Sequence, residues 1–200
     1  YEIRFCDWSS DVCSSDLSND NHIRAAFEKS VSETMRDIEK AAMTRVRKNK
    51  VYEDRPTGEL VWAEFTHQTA RPVADHDPDP HLHLHAFTFN ATWDDTERKY
   101  KAAKFRDINR EMPYYQACFH KRLSDELLGL GYKIRLTDNS FEVEGVPSSV
   151  IHHFSKRSNE IGRIAKEKGI TDAKALDQLG AKSRSKKKKG VPVLDRKSVV

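Results

Sequence analysis

Apolar residues recur at spacings of three and four from Asn21 onward: Ile23, Phe27, Val31, Met35, Ile38, Ala42 and Val46 share one stripe. That period predicts a helix to about Arg47 with one face on a sheet, ended by Lys48-Asn49-Lys50. Tyr52 to Gly58 reads as a turn around Arg55-Pro56-Thr57-Gly58, and the period then changes to two. Leu60 to His67 and Leu82 to Thr92 alternate as strands do, and are expected to lie side by side, antiparallel. Their connection, Arg71 to Pro80, holds Pro72, Pro78 and Pro80 and should be irregular. Tyr100 to Phe105 suggests a short strand or ribbon, followed by a short helical turn. Met112 to Leu130 reads as a helix ended by Gly131. Ile134-Arg135-Leu136 and Phe141-Glu142-Val143 flank the turn-rich Thr137-Asp138-Asn139-Ser140 and form a hairpin. Pro147 opens a helix through Val150, Phe154 and Ile161 to about Lys168, where Gly169 stops it, and Thr171 can cap one more short helix to about Lys182. Strands flanked by helices without regular alternation of the two indicate an α+β fold with a central antiparallel sheet.

The second strand carries the chemistry. In Asp79-Pro80-His81-Leu82-His83-Leu84-His85-Ala86-Phe87-Thr88-Phe89-Asn90, alternation puts His81, His83, His85, Phe87 and Phe89 on one face and Leu82, Leu84 and Ala86 on the other, toward a core. Imidazoles two residues apart on a strand stand about 7 Å from one another, near enough for two neighbours to share a metal ion. A third ligand must come from another strand, and His67, closing the run Val61 to His67, is the candidate. A single histidine is usually a satisfied core residue, but three on one strand face with a fourth at a strand end fit metal binding better. His76, His120, His152 and His153 read as surface or packing residues.

His67-Gln68-Thr69-Ala70-Arg71, followed by Asp79-Pro80-His81-Leu82-His83-Leu84-His85 and Asn90-Ala91-Thr92, resembles the metal-binding half of the TrwC/TraI-type (MobF) relaxases, HUH endonucleases of conjugation. The resemblance extends over most of residues 21 to 185, with Leu-Gly-Tyr, Phe-Glu-Val-Glu-Gly-Val-Pro and Phe-Ser-Lys-Arg recurring in family order between Leu123 and Lys156. It implies an HUH relaxase-like sandwich, incomplete at its N-terminal side, with His67, His83 and His85 as ligands of a divalent metal (Mg, Mn or Zn). His81 stands where the family usually has a non-ligand, often Gln, and the loop after His67 is longer here, so His81 is the alternative ligand. In such enzymes a tyrosine near the N-terminus attacks the DNA phosphorus. That tyrosine and an acidic partner are expected upstream of Ser18, so no catalytic residue is assigned in this chain, which should bind metal without cutting DNA.

Both ends look foreign. Tyr1 to Leu17 has neither an apolar run nor an amphipathic period, and its codons can be written as a sequencing adapter, as can those of Asp195 to Val200. Residues 1–17 and 195–200 are therefore read as adapter-like artefacts, 18–182 as the relaxase domain portion and 183–194 as a basic tail or linker. Setting the ends aside removes Cys6 and Cys13, leaving Cys118 and no disulfide framework, which suits a cytoplasmic protein. The formal charge of +4 becomes more positive without the acidic N-terminal segment, which suits a polyanionic partner but is common among ordinary soluble proteins. No apolar stretch is long enough to span a bilayer.

Lys101, Lys104, Arg106, Lys186 and Lys187 are the candidate DNA contacts; a charge run is more often a solvated face. The expected partner is single-stranded DNA at a transfer origin, alongside other relaxosome proteins and a fused helicase domain in the full-length parent; the chain itself contains no G-x-x-x-x-G-K-[ST] motif. Two other readings compete: a cupin-like histidine-metal oxygenase, although no carboxylate follows His85 before Asp94, and a non-catalytic basic DNA-binding module.

Overall fold

A computed structural model describes residues 1–5, 21–70, 73, 77–137 and 140–182. Its centre is a three-stranded antiparallel sheet in the order β1 (Glu2–Phe5), β5 (Pro80–Thr88), β4 (Trp62–Thr69). Strand alternation sends Leu82, Leu84 and Ala86 of β5 and Ile3 and Phe5 of β1 into the core. Two helices cover that inner face: α1 (Asn21–Lys40), through Ile23, Phe27, Val31, Met35 and Ile38, and α3 (Met112–Gly129), through Tyr115, Phe119, Leu123 and Leu127. Phe119 is the hub, 5.3 Å from Phe5 and edge-on to Phe27 at 5.5 Å, ring centre to ring centre. Truncating so buried an aromatic costs about 3–5 kcal/mol.

The fold has the α+β character expected, with five changes in its elements. The first helix ends at Lys40 rather than near Arg47, and Met43–Lys48 is strand β2. Ala42, Thr44 and Val46 are all buried. A four-residue step is also an even step, so Ala42 and Val46 satisfy the helical stripe and strand alternation alike, and β-branched Thr44 and Val46 favour the strand. Second, the expected turn from Tyr52 is strand β3 (Val51–Pro56), paired with β2 as a ribbon. Asn49 and Lys50, both at positive φ (50° and 64°), form the two-residue turn that such a hairpin needs.

Third, the helix from Pro147 to Lys168 is two helices, α4 (Ser148–His153) and α5 (Lys156–Glu167), with the break at Phe154 and Ser155. Fourth, the C-terminal helix α6 (Ala173–Lys182) is capped by Asp172, whose carboxylate accepts the Ala175 N–H at 2.9 Å, and not by Thr171. The second long strand is likewise divided, β6 (Thr92–Asp94) pairing with β7 (Lys99–Lys101) as a separate hairpin ahead of the short helix α2 (Phe105–Arg110). The hairpin β8 (Ile134–Leu136) and β9 (Phe141–Val143) forms where expected.

The first five residues, set apart as adapter-like, lie in this sheet: Glu2 to Phe5 pair with Phe87 to Leu84, and the Tyr1 ring stacks on Phe105 at 5.0 Å. They lack a helical period but have a strand period, Ile3 and Phe5 inward and Glu2 and Arg4 outward, which is sufficient to add to an open sheet edge. Residues 6–17, 183–194 and 195–200 lie outside the described residues. Among the described residues no helix is long and apolar enough to cross a membrane.

Candidate metal centre

β4 and β5 run antiparallel with His67 directly opposite His83 and Phe65 opposite His85, so the outward row of β5 and the end of β4 share one face. A register shift between His67 and Thr69 ends the regular ladder there. The rings of His67, His83 and His85 form a nearly equilateral triangle, with centres 5.1, 5.2 and 5.1 Å apart. Three imidazoles bound to one ion at about 2.0–2.1 Å with tetrahedral angles would place their ring centres roughly 5 Å apart. His81 packs on His83 at 4.9 Å, one step further along the strand.

Ring orientation is a separate matter. The His67 and His83 planes are only 17° apart and the rings are stacked, so they do not aim at one point. Among the described residues no three His, Cys, Asp or Glu side chains already converge as a closed coordination set. Rotation about the broad terminal torsion of each histidine is the motion that would close it.

The hydrogen bonds favour metal binding. His83 Nδ1 lies 3.0 Å from the His81 carbonyl oxygen and His85 Nδ1 lies 2.6 Å from Glu2 Oε1. A carbonyl only accepts, so His83 Nδ1 carries the proton and Nε2 keeps its lone pair; a carboxylate imposes the same tautomer on His85. Burial lowers the His83 pKa to about 4, the closeness of the other imidazoles disfavours a charge there too, and the His81 carbonyl opposes the shift. Burial lowers His85 too, against the pull of Glu2. Both rings are therefore neutral at physiological pH, the form a cation requires. Donor chemistry, ring spacing and tautomers all fit a divalent metal.

One residue that sequence reasoning left as a family mark has a structural task. Asp79 is buried, and its carbonyl accepts the Ala70 N–H at 2.8 Å, closing β4 against β5 beside the histidines. Its carboxylate accepts the Lys156 backbone N–H at 3.0 Å and pairs with the Lys156 ammonium. A carboxylate at a helix N-terminus satisfies an otherwise orphaned donor and complements the helix dipole. The Asp-Pro turn and the Phe-Ser-Lys-Arg segment are thus one contact, which also accounts for the new helix beginning at Lys156.

The expected DNA contacts divide. The Lys101 ammonium, 2.9 Å from Asp94, also pairs with Glu97, and Arg55 joins Asp94 at 2.8 Å. Asp94 is fully buried; burial alone would raise its carboxyl, but Lys101 and Arg55 hold it well below the usual range. Hydrogen bonds from Lys101 and then Lys99 lower Glu97 to about 2. Lys104 pairs with Asp54 and, at 2.6 Å, with Asp107. Arg106 is exposed on the first turn of α2, while Lys186 and Lys187 lie outside the described residues. The β2–β3 ribbon, missed as a turn, presents exposed Tyr52 under the guanidiniums of Arg45 and Arg47 at 5.7 and 5.3 Å. Of the two helical tyrosines, Tyr115 is buried in the core and Tyr114 is exposed.

Comparison with known proteins gives a consistent picture. The TrwC relaxase family profile matches residues 7–196. The structure is similar to that of TrwC complexed with a 27-mer DNA comprising the recognition hairpin and the cleavage site, at 26% identity and a TM-score of 0.86, over 96% of this chain and 68% of that one. It is similar as well to the metal-bound conjugative relaxase TrwC in complex with oriT DNA, at 26% identity and a TM-score of 0.85, over 95% and 66% of the two chains. A copper-bound structure of the same complex matches at 26% identity and a TM-score of 0.86, over 95% and 64%. The chain thus spans about two thirds of the length of these solved relatives. No curated protein sequence matches it.

Proposed function

The chain belongs to the TrwC relaxase family, and from that premise we propose that it is the metal- and DNA-binding part of a conjugative relaxase, which nicks and rejoins single-stranded DNA at a transfer origin by phosphodiester transesterification. The observation that carries this reading is the triangle of His67, His83 and His85 across two strands, with Nδ1 of His83 and of His85 already engaged. A divalent cation held by three neutral imidazoles keeps its whole charge and supplies a Lewis acid for the non-bridging oxygens of a phosphodiester. The His81 carbonyl orients the His83 ring, and the hydrophobic inner face of β5 fixes the row from behind. Affinity favours zinc or another late transition metal over magnesium or manganese for such a donor set.

Residues 18–182 are the domain portion in this reading and 183–194 a basic tail; the segments 1–17 and 195–200 remain adapter-like, with residues 2–5 occupying a sheet edge. Tyr115 is buried in the core and is no candidate for the attacking tyrosine, which is assigned to no residue of this chain. Arg106, Lys186, Lys187 and the arginines of the β2–β3 ribbon would meet the phosphates of the single strand. Relaxosome proteins and a helicase domain would be partners of the full-length parent. A cupin-type centre is disfavoured because Asp94, the first carboxylate after His85, is buried against Arg55 and Lys101 and has no route to a metal.

Metal analysis of the purified chain, combined with fluorescence anisotropy on single-stranded oligonucleotides, tests the proposal. One equivalent of bound metal and an affinity that falls steeply with salt are expected. A chain that takes up no metal and ignores single strands would overturn it.

A further inference from the structure

Beyond the histidines, the same face of β5 carries two large apolar side chains that the core does not use. Phe87 and Phe89 are 47% and 48% exposed, although the inward residues beside them, Ala86 and Thr88, are fully buried. Their rings contact each other edge to face, centres 5.5 Å apart. Phe87 stands one side-chain step, about 7 Å, beyond His85 on that face. Across the sheet its register partners are Ala63 on β4, too small to cover the ring, and Glu2 on β1, whose carboxylate is turned to His85, and the Phe89 N–H is tied to the Val61 carbonyl at 2.9 Å, so the backbone presenting both rings is fixed. The polar row of histidines thus continues without interruption into a rigid, solvent-facing aromatic step.

We propose that Phe87 and Phe89 form a stacking platform for an unpaired nucleobase, one nucleotide away from the phosphate held at the histidine triangle. The proposal deepens the functional reading above and rests on it. A single strand offers a phosphate and an unstacked base within one repeat, and this face offers a cation site followed by an aromatic plane in the same order. A base stacks on any aromatic face regardless of its identity, so the platform would hold the strand without reading its sequence. An edge-to-face pair leaves one ring plane open for the base while the other ring buttresses it.

The test compares an oligothymidylate with an abasic strand of equal length and charge, using the full chain loaded with zinc. The platform predicts that the wild-type chain prefers the strand with bases by about tenfold in Kd, one stacked base being worth roughly that factor. Phe87→Ala and Phe89→Ala should each cut the preference toward unity while leaving the affinity for the abasic strand unchanged. Phe87→Leu, which keeps apolar area but not the ring, should behave as Phe87→Ala, and Phe87→Trp should retain the preference. Phe89→Trp adds a fluorophore whose emission the base should quench and the abasic strand should not. Preference persisting in Phe87→Ala and Phe89→Ala would overturn the platform and leave the relaxase reading intact. So would a fall in thermal stability of these variants with no change in preference, which would mean the rings cover protein. Failure of the wild-type chain to bind either strand would remove the functional reading and the platform together.

Discussion

Two parts of this molecule carry side chains of the kind that hold metals and phosphates, and they treat them in opposite ways. In the β6–β7 hairpin and its surroundings, Asp94, Glu97, Lys101, Lys104, Asp54 and Arg55 neutralise one another, so that both lysines proposed as DNA contacts are engaged in ion pairs. On the β4–β5 face, His67, His83 and His85 sit within ring contact of one another, and burial lowers the pKa of both His83 and His85. The difference lies in what stands opposite. Charged groups of both signs on adjacent hairpins satisfy each other and stiffen the fold, whereas neutral His83 and His85, whose Nδ1 atoms face the His81 carbonyl and Glu2, keep Nε2 as an acceptor.

The contrast can be broken from either side. The largest expected effect is on metal affinity: His67→Ala, His83→Ala and His85→Ala should each weaken zinc binding on the order of 100-fold or more, measured by competition with a chromophoric chelator. His81→Ala should change it by less than about threefold. None of the four should lower Tm much in metal-free protein. Second, Asp94→Ala should reverse that pattern, lowering Tm by roughly 5–10 °C in calorimetry while leaving zinc affinity unchanged, because Arg55 and Lys101 lose their buried common partner and keep only the more exposed Glu97.

The acid limb gives a third expectation. Glu97 has its pKa lowered to about 2, and Asp94 is lowered as well, so the unfolded chain binds more protons than the folded one at acid pH. Their contribution is complete above the ordinary carboxylate range, near pH 4.5, and is lost as pH falls toward 2. Glu97→Gln should flatten the fall of Tm over that interval. Fourth and smallest, Asp79→Ala should lower Tm by a few degrees through the lost helix cap and weaken zinc by only several-fold, whereas Asp79→Asn should recover part of the stability. If Asp79→Ala matched a histidine variant in metal loss, the turn would be part of the centre and not its support.

How much of this could be read from the chain follows the same contrast. The histidine row was legible because alternation needs only one strand: Leu82, Leu84 and Ala86 had to face inward if anything did, and that placed His81, His83 and His85 together. His67 could be proposed because it ended the one other clearly alternating run. The boundary of α1 was not legible, since Ala42 and Val46 obey both periods. The β2–β3 ribbon was hidden because its strands are largely exposed and its turn uses Asn49 and Lys50 instead of glycine. One partner of Lys104, Asp54, was also out of reach, as was Arg55, which shares Asp94 with Lys101: both come from β3, which reads as a turn. Asp79 and Lys156, distant in sequence, meet only through tertiary packing.

X-ray absorption of the zinc-loaded chain tests the central claim most directly, by counting imidazoles in the metal's coordination shell. Three nitrogen ligands of imidazole type at about 2.0–2.1 Å, unchanged in His81→Gln and reduced to two in His67→Gln, are expected. A shell with fewer than three imidazoles, or one that loses a ligand in His81→Gln and keeps it in His67→Gln, would contradict the account.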